Sequence, residues 1–520
     1  MYKCTFSWEE NMGSFWFSKS KFVEAMWCNK AAWMSKYRPE DGKDVEDKTA
    51  INNGHLVGAK AQEYFGKCVD ATKQSEDGKL DFSAMITKTK EYIASGEKYI
   101  CEAAFSHDGL YCAVDILHNL GNNVVEIYEV KAANSMKNYY LWDTSYQRYV
   151  LTQEGYNVKK VYLMHLNKSY IRHGDLDLKQ LFVLEDVTSE AIKNDKMVKD
   201  KLDEIQKCLA SKTYPGICLC DNCAADDNHC RYYDYCINEA IKGIHPNVFD
   251  IIGVKFCTQL KWYKQGKISF KDLLTLTEMT PRRRPKQVIQ INKYLNGDTT
   301  PYVDKDAIIK EFFSKITYPL YFLDFETMLP ALPEYDDSHS YQQIPFQYSL
   351  HWYEYEGGEL HHTEYLGTSG VDNRRELARQ LVHDIPKDVC VLSYSSFEST
   401  RINDLAYLFD GEIKDHLLNI KGHLVDMMKP FQSFMYYKTE MGDSYSIKAV
   451  SPAMHPGDPD LDYSRLPGVH NGEEAMDIFP KIKDMDAKEA EETRKGLLKY
   501  CELDTYSMVK VFEGLKEAVK

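Results

Sequence analysis

This sequence predicts an α/β chain of more than one domain. Three observations carry that expectation. The chain has 520 residues, more than one hydrophobic core commonly organises, so two or three domains are expected. Strand-like apolar runs alternate with helical patterns at both ends. Between them, residues 240–315 read as mostly helical, a linking stretch. The expected divisions are 1–240, 241–315 and 316–520.

The elements follow in order. Phe17 to Cys28 reads as a capped helix leading to a cysteine, and Gly54 to Phe65 as a second helix. Residues 99–105, 111–118 and 124–132 read as consecutive strands, with Gly121-Asn-Asn between the last two. Residues 139–154 carry an amphipathic helical pattern stopped by Gly155, and Val158 to Leu166 returns to strand. In 240–315 the expected breaks are Pro281, Pro285 and Gly297. From Tyr318 strands and helices alternate again, ending in a helix over 488–518.

The composition is 43% hydrophobic and 28% charged, which suits a soluble globular chain. It holds no apolar run of about 18 residues, so no membrane span is expected. Met1 to Glu10 lacks the basic start and apolar stretch of a signal peptide, so a cytoplasmic location is expected. The net charge of -15 argues against a passive nucleic-acid coat. It leaves room for a metal nuclease, whose site is itself acidic.

Chemistry concentrates in three places. Asp324 and Glu326 are two apart in the run Pro319 to Glu326, so on a strand they share a face. Tyr500 and Asp504 are four apart, so on a helix they share a face. Glu398, in Tyr394-Ser-Ser-Phe-Glu398 after the apolar strand 388–393, fits a fourth carboxylate at a helix start. Four carboxylates suit two hard ions, Mg²⁺ or Mn²⁺, in phosphodiester cleavage, with Tyr500 orienting water.

These segments resemble the DnaQ-like exonucleases whose third motif is Tyr-x-x-x-Asp. The resemblance implies an RNase H-like fold and digestion of nucleic acid from the 3′ end. Asp324 and Glu326 match the first motif, Glu398 the second, and Tyr500 and Asp504 the third. The second motif departs from the family, which has Asp where this chain has Glu398. Gly442 to Lys448 resembles the family's segment between the second and third motifs and is expected to pack rather than catalyse.

The second place is N-terminal. Glu129 and Lys131 share one face of a strand, Asp115 lies on the strand before, and Glu102 one strand earlier. Gln147 follows on the helix after them. Carboxylates with a lysine can hold metal and stabilise developing charge. The order Asp, Glu-x-Lys, Gln resembles the PD-(D/E)xK nucleases of the RecB family, which cut DNA. That implies catalytic roles for Asp115, Glu129, Lys131 and Gln147, with metal on Asp115, Glu129 and Glu102. The family's early-helix histidine position holds Gly58; neither His55 nor Glu63 is assigned its role.

The third is a cysteine group. The chain has 14 cysteines, five of them between Cys218 and Cys236. A cytoplasmic chain does not use them as a disulfide framework. Cys28 before the N-terminal core and Cys223, Cys230 and Cys236 after it resemble the layout of RecB-like nucleases, including those of CRISPR adaptation. That layout implies a [4Fe-4S] cluster on these four. A zinc site on Cys220, Cys223, Cys230 and Cys236 competes, since Cys220-x-x-Cys223 is itself a metal spacing.

The whole chain resembles a bacterial family that joins two such nuclease modules. The expected substrate is single-stranded DNA or DNA ends, and RNA stays open. The settings implied are DNA repair, phage defence or CRISPR prespacer processing, with defence proteins as partners. Two alternatives stand beside this reading. In one, only the C-terminal exonuclease is active and the N-terminal domain is a DNA-binding clamp. In the other, the chain is a non-catalytic assembly subunit. The sequence leaves oligomeric state open.

Overall fold

The protein is described by a computed structural model covering residues 17–43, 48–216, 219, 221–225 and 228–520. It is a mixed α/β chain of two compact units. Met1–Gly243 with Pro330–Gln342 form one, and Ile244–Leu329 with Gln343–Lys520 the other. Among the described residues, no helix is long and apolar enough to cross a membrane. Residues 1–10, read above for a signal, and Cys218 and Cys220 lie outside the described residues.

The first unit is built on a seven-stranded mixed sheet. Its strands are β1 (Phe17–Ser18), β2 (Val69–Asp70), β3 (Tyr99–His107), β4 (Leu110–Asn119), β5 (Val124–Lys131), β6 (Asn157–Leu166) and β7 (Phe182–Asp186). The order is β2-β3-β4-β5-β6-β7, with β1 joined parallel to β4. β3, β4 and β5 form an antiparallel meander. Gly121, Asn122 and Asn123 turn β4 into β5 with φ of 81°, 52° and 59°, a left-handed path that glycine and asparagine follow at least cost. Helix Tyr140–Gln153 then crosses over to β6, which runs parallel to β5.

The helix expected from Phe17 starts at Lys19 and runs to Trp27. Phe17 and Ser18 pair instead with Leu110 and Tyr111. Ser18 Oγ then accepts the Lys21 N–H as the N-cap.

The second unit is built on a five-stranded sheet of β8 (Leu320–Met328), β9 (Ile344–Tyr353), β10 (Leu360–Leu366), β11 (Cys390–Ser393) and β12 (Leu424–Asp426). The order is β10-β9-β8-β11-β12. β8, β9 and β10 are antiparallel, while β11 and β12 run parallel to β8. Along β8 the side chains alternate between two cores. Leu320 and Phe322 enter one with Met508, Val509 and Phe512 of the C-terminal helix. Tyr321, Leu323 and Phe325 enter the other with Leu381 and Ile402. Each such side chain contributes about 1.5–3 kcal/mol by leaving water. Asp324 and Glu326 continue the first set, so the same alternation turns two carboxylates toward helix Ala487–Val519.

Ile244 to Lys315 packs within this second unit. Val248, Ile251, Trp262, Phe270, Val288 and Ile291 make a core of their own. Pro285 opens a helix instead of breaking one. It is the first residue of Pro285–Leu295, where a missing N–H leaves no helical bond unmade. Gly297, with φ 64°, follows the C-cap Asn296 and ends that helix.

Candidate metal centre and a second acidic site

In the second unit, one oxygen from each of Asp324, Glu326 and Asp504 lies within 4.8 Å of the others. β8 supplies the first two, and the C-terminal helix supplies Asp504 together with Tyr500. Glu326, Asp504 and Tyr500 are buried. Among the described residues, no lysine or arginine ion-pairs with any of the three carboxylates. Their pKa values respond accordingly. Burial, then Asp504, Glu398 and Glu326, push Asp324 well above the usual carboxylate range. Burial and Asp504 do the same to Glu326. Burial raises Asp504, against hydrogen bonds from Tyr463 and Tyr500 and the charge of Lys448.

Glu398 stands in the first turn of helix Phe397–Ala406, just after β11. It is 2% exposed, and its Oε2 has no hydrogen-bond partner. Burial, with Asp426 beside it, pushes its carboxyl up to about 8. It lies outside the trio of converging oxygens but acts on Asp324 by its charge.

Two side chains that were not expected complete the site. Tyr463 Oη donates to Asp504 Oδ1 at 2.6 Å. Lys448 Nζ donates to Tyr500 Oη at 3.1 Å and stands over the rings of Tyr500 and Tyr463. The segment expected only to pack therefore places an ammonium against the phenol. Gly496 lets Pro467, four residues after Tyr463, pack against the C-terminal helix: a Cβ there would meet the Pro467 carbonyl oxygen at 2.7 Å. A glycine inside a helix was the one sequence signal for this close contact. Tyr463 itself carried none.

In the first unit, Glu102, Asp115 and Glu129 fall in one row across β3, β4 and β5. Pairs Cys101↔Ile116 and Ala103↔Val114 bracket the first step, and Ile116↔Tyr128 precedes the second. Glu102 takes φ 51° where it would pair with Asp115, a local strain for a non-glycine residue. Glu129 is 1% exposed. Its Oε1 accepts Lys19 Nζ at 2.7 Å and Lys131 Nζ at 2.9 Å, and its Oε2 accepts Gln147 Nε2 at 2.6 Å. Lys131 also donates to Asp143 Oδ2 at 2.6 Å. Burial pushes the Glu129 carboxyl up, but Lys131 and Lys19 outweigh it and hold it down at about 2. Asp115 accepts the Val130 N–H at 2.6 Å. Burial and Glu129 push Asp115 up to about 7.

A cavity of about 280 Å³ beside this row is lined by Glu102, Asp115, His55 and Gly58, among others. Sequence reading left His55 without a role, and the structure puts it on the cavity wall. Glu63 instead pairs with Lys60. Lys19 and Asp143 were missed as well. Lys19 had one signal, a cation in the first turn of a helix, where the macrodipole disfavours it.

Cys28, Cys223, Cys230 and Cys236 line a single cavity of about 530 Å³. Cys28 sits at the junction of helices Lys19–Trp27 and Asn29–Tyr37, and Cys236 in helix Tyr233–Ile241. Burial pushes the Cys230 thiol up to about 11, with Cys28 and Cys236 adding to it. Cys220 of the zinc set lies outside the described residues.

Residues 321–446 match a family described as "Domain of unknown function (DUF2779)". The match takes in Asp324, Glu326 and Glu398 and ends before Lys448 and the C-terminal helix. No curated protein and no solved structure matches the chain.

Proposed function

We propose that the protein is a metal-dependent nuclease whose second unit digests single-stranded DNA or DNA ends from the 3′ side. One observation carries this reading: carboxylate oxygens of the buried Glu326 and Asp504 and the half-buried Asp324 converge within 4.8 Å, and among the described residues no lysine or arginine ion-pairs with them. Such a set is unstable as anions unless a cation joins it. Asp324, Glu326 and Asp504 would hold Mg²⁺ or Mn²⁺, with Glu398 as the fourth carboxylate. All-oxygen donors fit such hard ions. A divalent ion bound there supplies charge stabilisation to the phosphodiester under attack. The sheet order, an antiparallel meander followed by two parallel strands, suits the RNase H-like reading.

Tyr500 orients the attacking water. Burial, with Asp504 next, raises its phenol pKa far above the usual value, so the phenol keeps its proton. Lys448 donates to its oxygen, which leaves the phenolic O–H to point at Asp504 or water. The phenol is therefore a positioning group and not a base.

The first unit carries the RecB-like reading and the cofactor. Cys28 and the distant group Cys223, Cys230 and Cys236 line one cavity, which supports a [4Fe-4S] cluster on these four. A second reading, that this unit grips DNA without cutting it, is favoured by Glu129, whose oxygens are taken by Lys19, Lys131 and Gln147. DNA repair, phage defence and CRISPR prespacer processing are the settings this reading fits.

The test is digestion of end-labelled single- and double-stranded DNA and RNA with Mn²⁺. The chain is purified without oxygen and compared with Asp324→Ala and Lys131→Ala. The expected result is a brown protein that ladders DNA from the 3′ end, with laddering lost in Asp324→Ala. A separate cleavage pattern lost in Lys131→Ala would restore a second nuclease. A wild-type chain that digests nothing would overturn the reading in favour of an assembly subunit.

A further inference from the structure

We propose that Lys19 is the resident cation of the acidic row in the first unit, seated on Glu129 where a divalent ion would otherwise bind. The proposal rests on reading the second unit as the metal-dependent centre, and it divides the labour between the two acidic sites.

Donor occupancy carries the argument. Glu129 receives three protein donors, two of them ammonium groups, and is almost wholly buried. A metal on Oε1, which already accepts both ammonium groups, has to displace one of them. Lys131 is tied twice, to Glu129 and to Asp143. Among the described residues the Lys19 ammonium ion-pairs with Glu129 alone, and its side chain is 18% exposed. It is therefore the cation whose removal vacates a place on Glu129.

The backbone under Lys19 is fixed. Phe17 and Ser18 pair with β4, Tyr146 Oη donates to the Phe17 carbonyl at 2.6 Å, and Ser18 caps the helix that Lys19 begins. A first-turn lysine runs against the helix dipole, and local rules are broken most often where a function compensates. An ammonium neutralises the carboxylate as a metal would but offers no coordination site to a phosphate oxygen. The row then acts as a fixed element of the unit, and the adjoining cavity keeps Glu102 and Asp115 as its carboxylates.

The experiment is Mn²⁺ binding to the full chain, followed by titration calorimetry. Four proteins are compared: wild type, Asp324→Asn/Asp504→Asn, that double variant with Lys19→Met, and that double variant with Asp115→Asn. The expected result is that the double variant binds no Mn²⁺ and that Lys19→Met gains a bound ion per chain. Mn²⁺ retained by the double variant and lost on adding Asp115→Asn would overturn the proposal. So would a folded Lys19→Met protein that gains no ion. If circular dichroism shows that Lys19→Met does not fold, the double variant with and without Asp115→Asn still decides. Failure of the exonuclease reading would be seen separately, as a wild-type chain with no binding heat to lose.

Discussion

The two acidic sites are built from the same side chains and solve the same electrostatic problem in opposite ways. In the first unit, Glu129 is buried with two ammonium groups and an amide on its oxygens, and its carboxyl is held down at about 2. In the second, Asp324, Glu326 and Asp504 are brought together without, among the described residues, an ion-paired lysine or arginine, and all three are pushed up. The first site is complete as the chain folds. On the proposed reading, the second is complete only with a cation from solution. Carboxylate counting cannot distinguish the two; where the lysines point can.

The comparison is broken most directly by the same chemical change in each site. Asp324→Asn should lower kcat for 3′ digestion by roughly 10³-fold, the several kcal/mol a metal ligand supplies at the transition state. The same variant should melt higher than wild type in a chelator, because a repelling charge has gone. Glu129→Gln should do the reverse. It leaves Lys19 and Lys131 without their anion in a buried setting, and that should cost roughly 3–5 kcal/mol, read as a lowered melting temperature. Equal signs for the two variants in chelator would remove the distinction between the two sites.

The pH dependence of the metal-free chain sharpens it further. Glu129 and Glu398 start from the same ordinary value of 4.5 and are driven apart. Glu129 has a folded-state value of about 2, so the folded chain binds fewer protons than the unfolded one. Its stabilisation is present above pH 4.5 and lost as pH falls toward 2. Glu398 has a folded-state value of about 8, so the folded chain binds more protons. Its ionisation removes stability as pH rises from 4.5 through 8. Asp115, raised from 3.8 to about 7, acts in the same direction. Thermal melts in chelator should therefore fall across that upper range. Glu398→Gln should flatten the fall, whereas Glu129→Gln should remove the acid limb. A melting temperature that rises with pH over the same range, without metal, would contradict the assignment.

Much of this frame was legible in the sequence, for reasons of periodicity. The alternation in 111–118 and 124–132 and the turn at Gly121-Asn-Asn correspond to β4 and β5. The two-residue spacing of Asp324 and Glu326 and the four-residue spacing of Tyr500 and Asp504 are local rules, and they put those groups on facing elements. Lys19, Lys448, Tyr463 and His55 were not legible as site residues. Each reaches its place through tertiary packing: Lys19 through the short strand pairing with β4, Tyr463 through a contact with Asp504 that is 41 residues away in sequence. Lys448 was in view, within Gly442 to Lys448, but no spacing rule said that its ammonium meets a phenol. The four cysteines came from resemblance and not from spacing, since Cys28 stands far from the other three in sequence.

The smallest of the expected effects concerns Tyr463, and it asks how much the second unit depends on its own donors. Tyr463 gives Asp504 its 2.6 Å hydrogen bond, and burial with Asp504 next raises that phenol so that it stays a donor. A hydrogen bond to a charged group is worth about 1.5–3 kcal/mol. Tyr463→Phe keeps the ring, and with it the packing beside Tyr500 at a centroid distance of 6.1 Å. What it removes is the group that fixes the Asp504 carboxylate. If Asp504 is held for a metal by this bond, Tyr463→Phe should raise the Mn²⁺ concentration needed for half-maximal digestion by roughly tenfold, as about 1.4 kcal/mol implies. It should leave the rate at saturating Mn²⁺ near that of wild type. A loss that excess Mn²⁺ does not restore would instead place Tyr463 on the substrate, and the second site would then be completed by more than a cation.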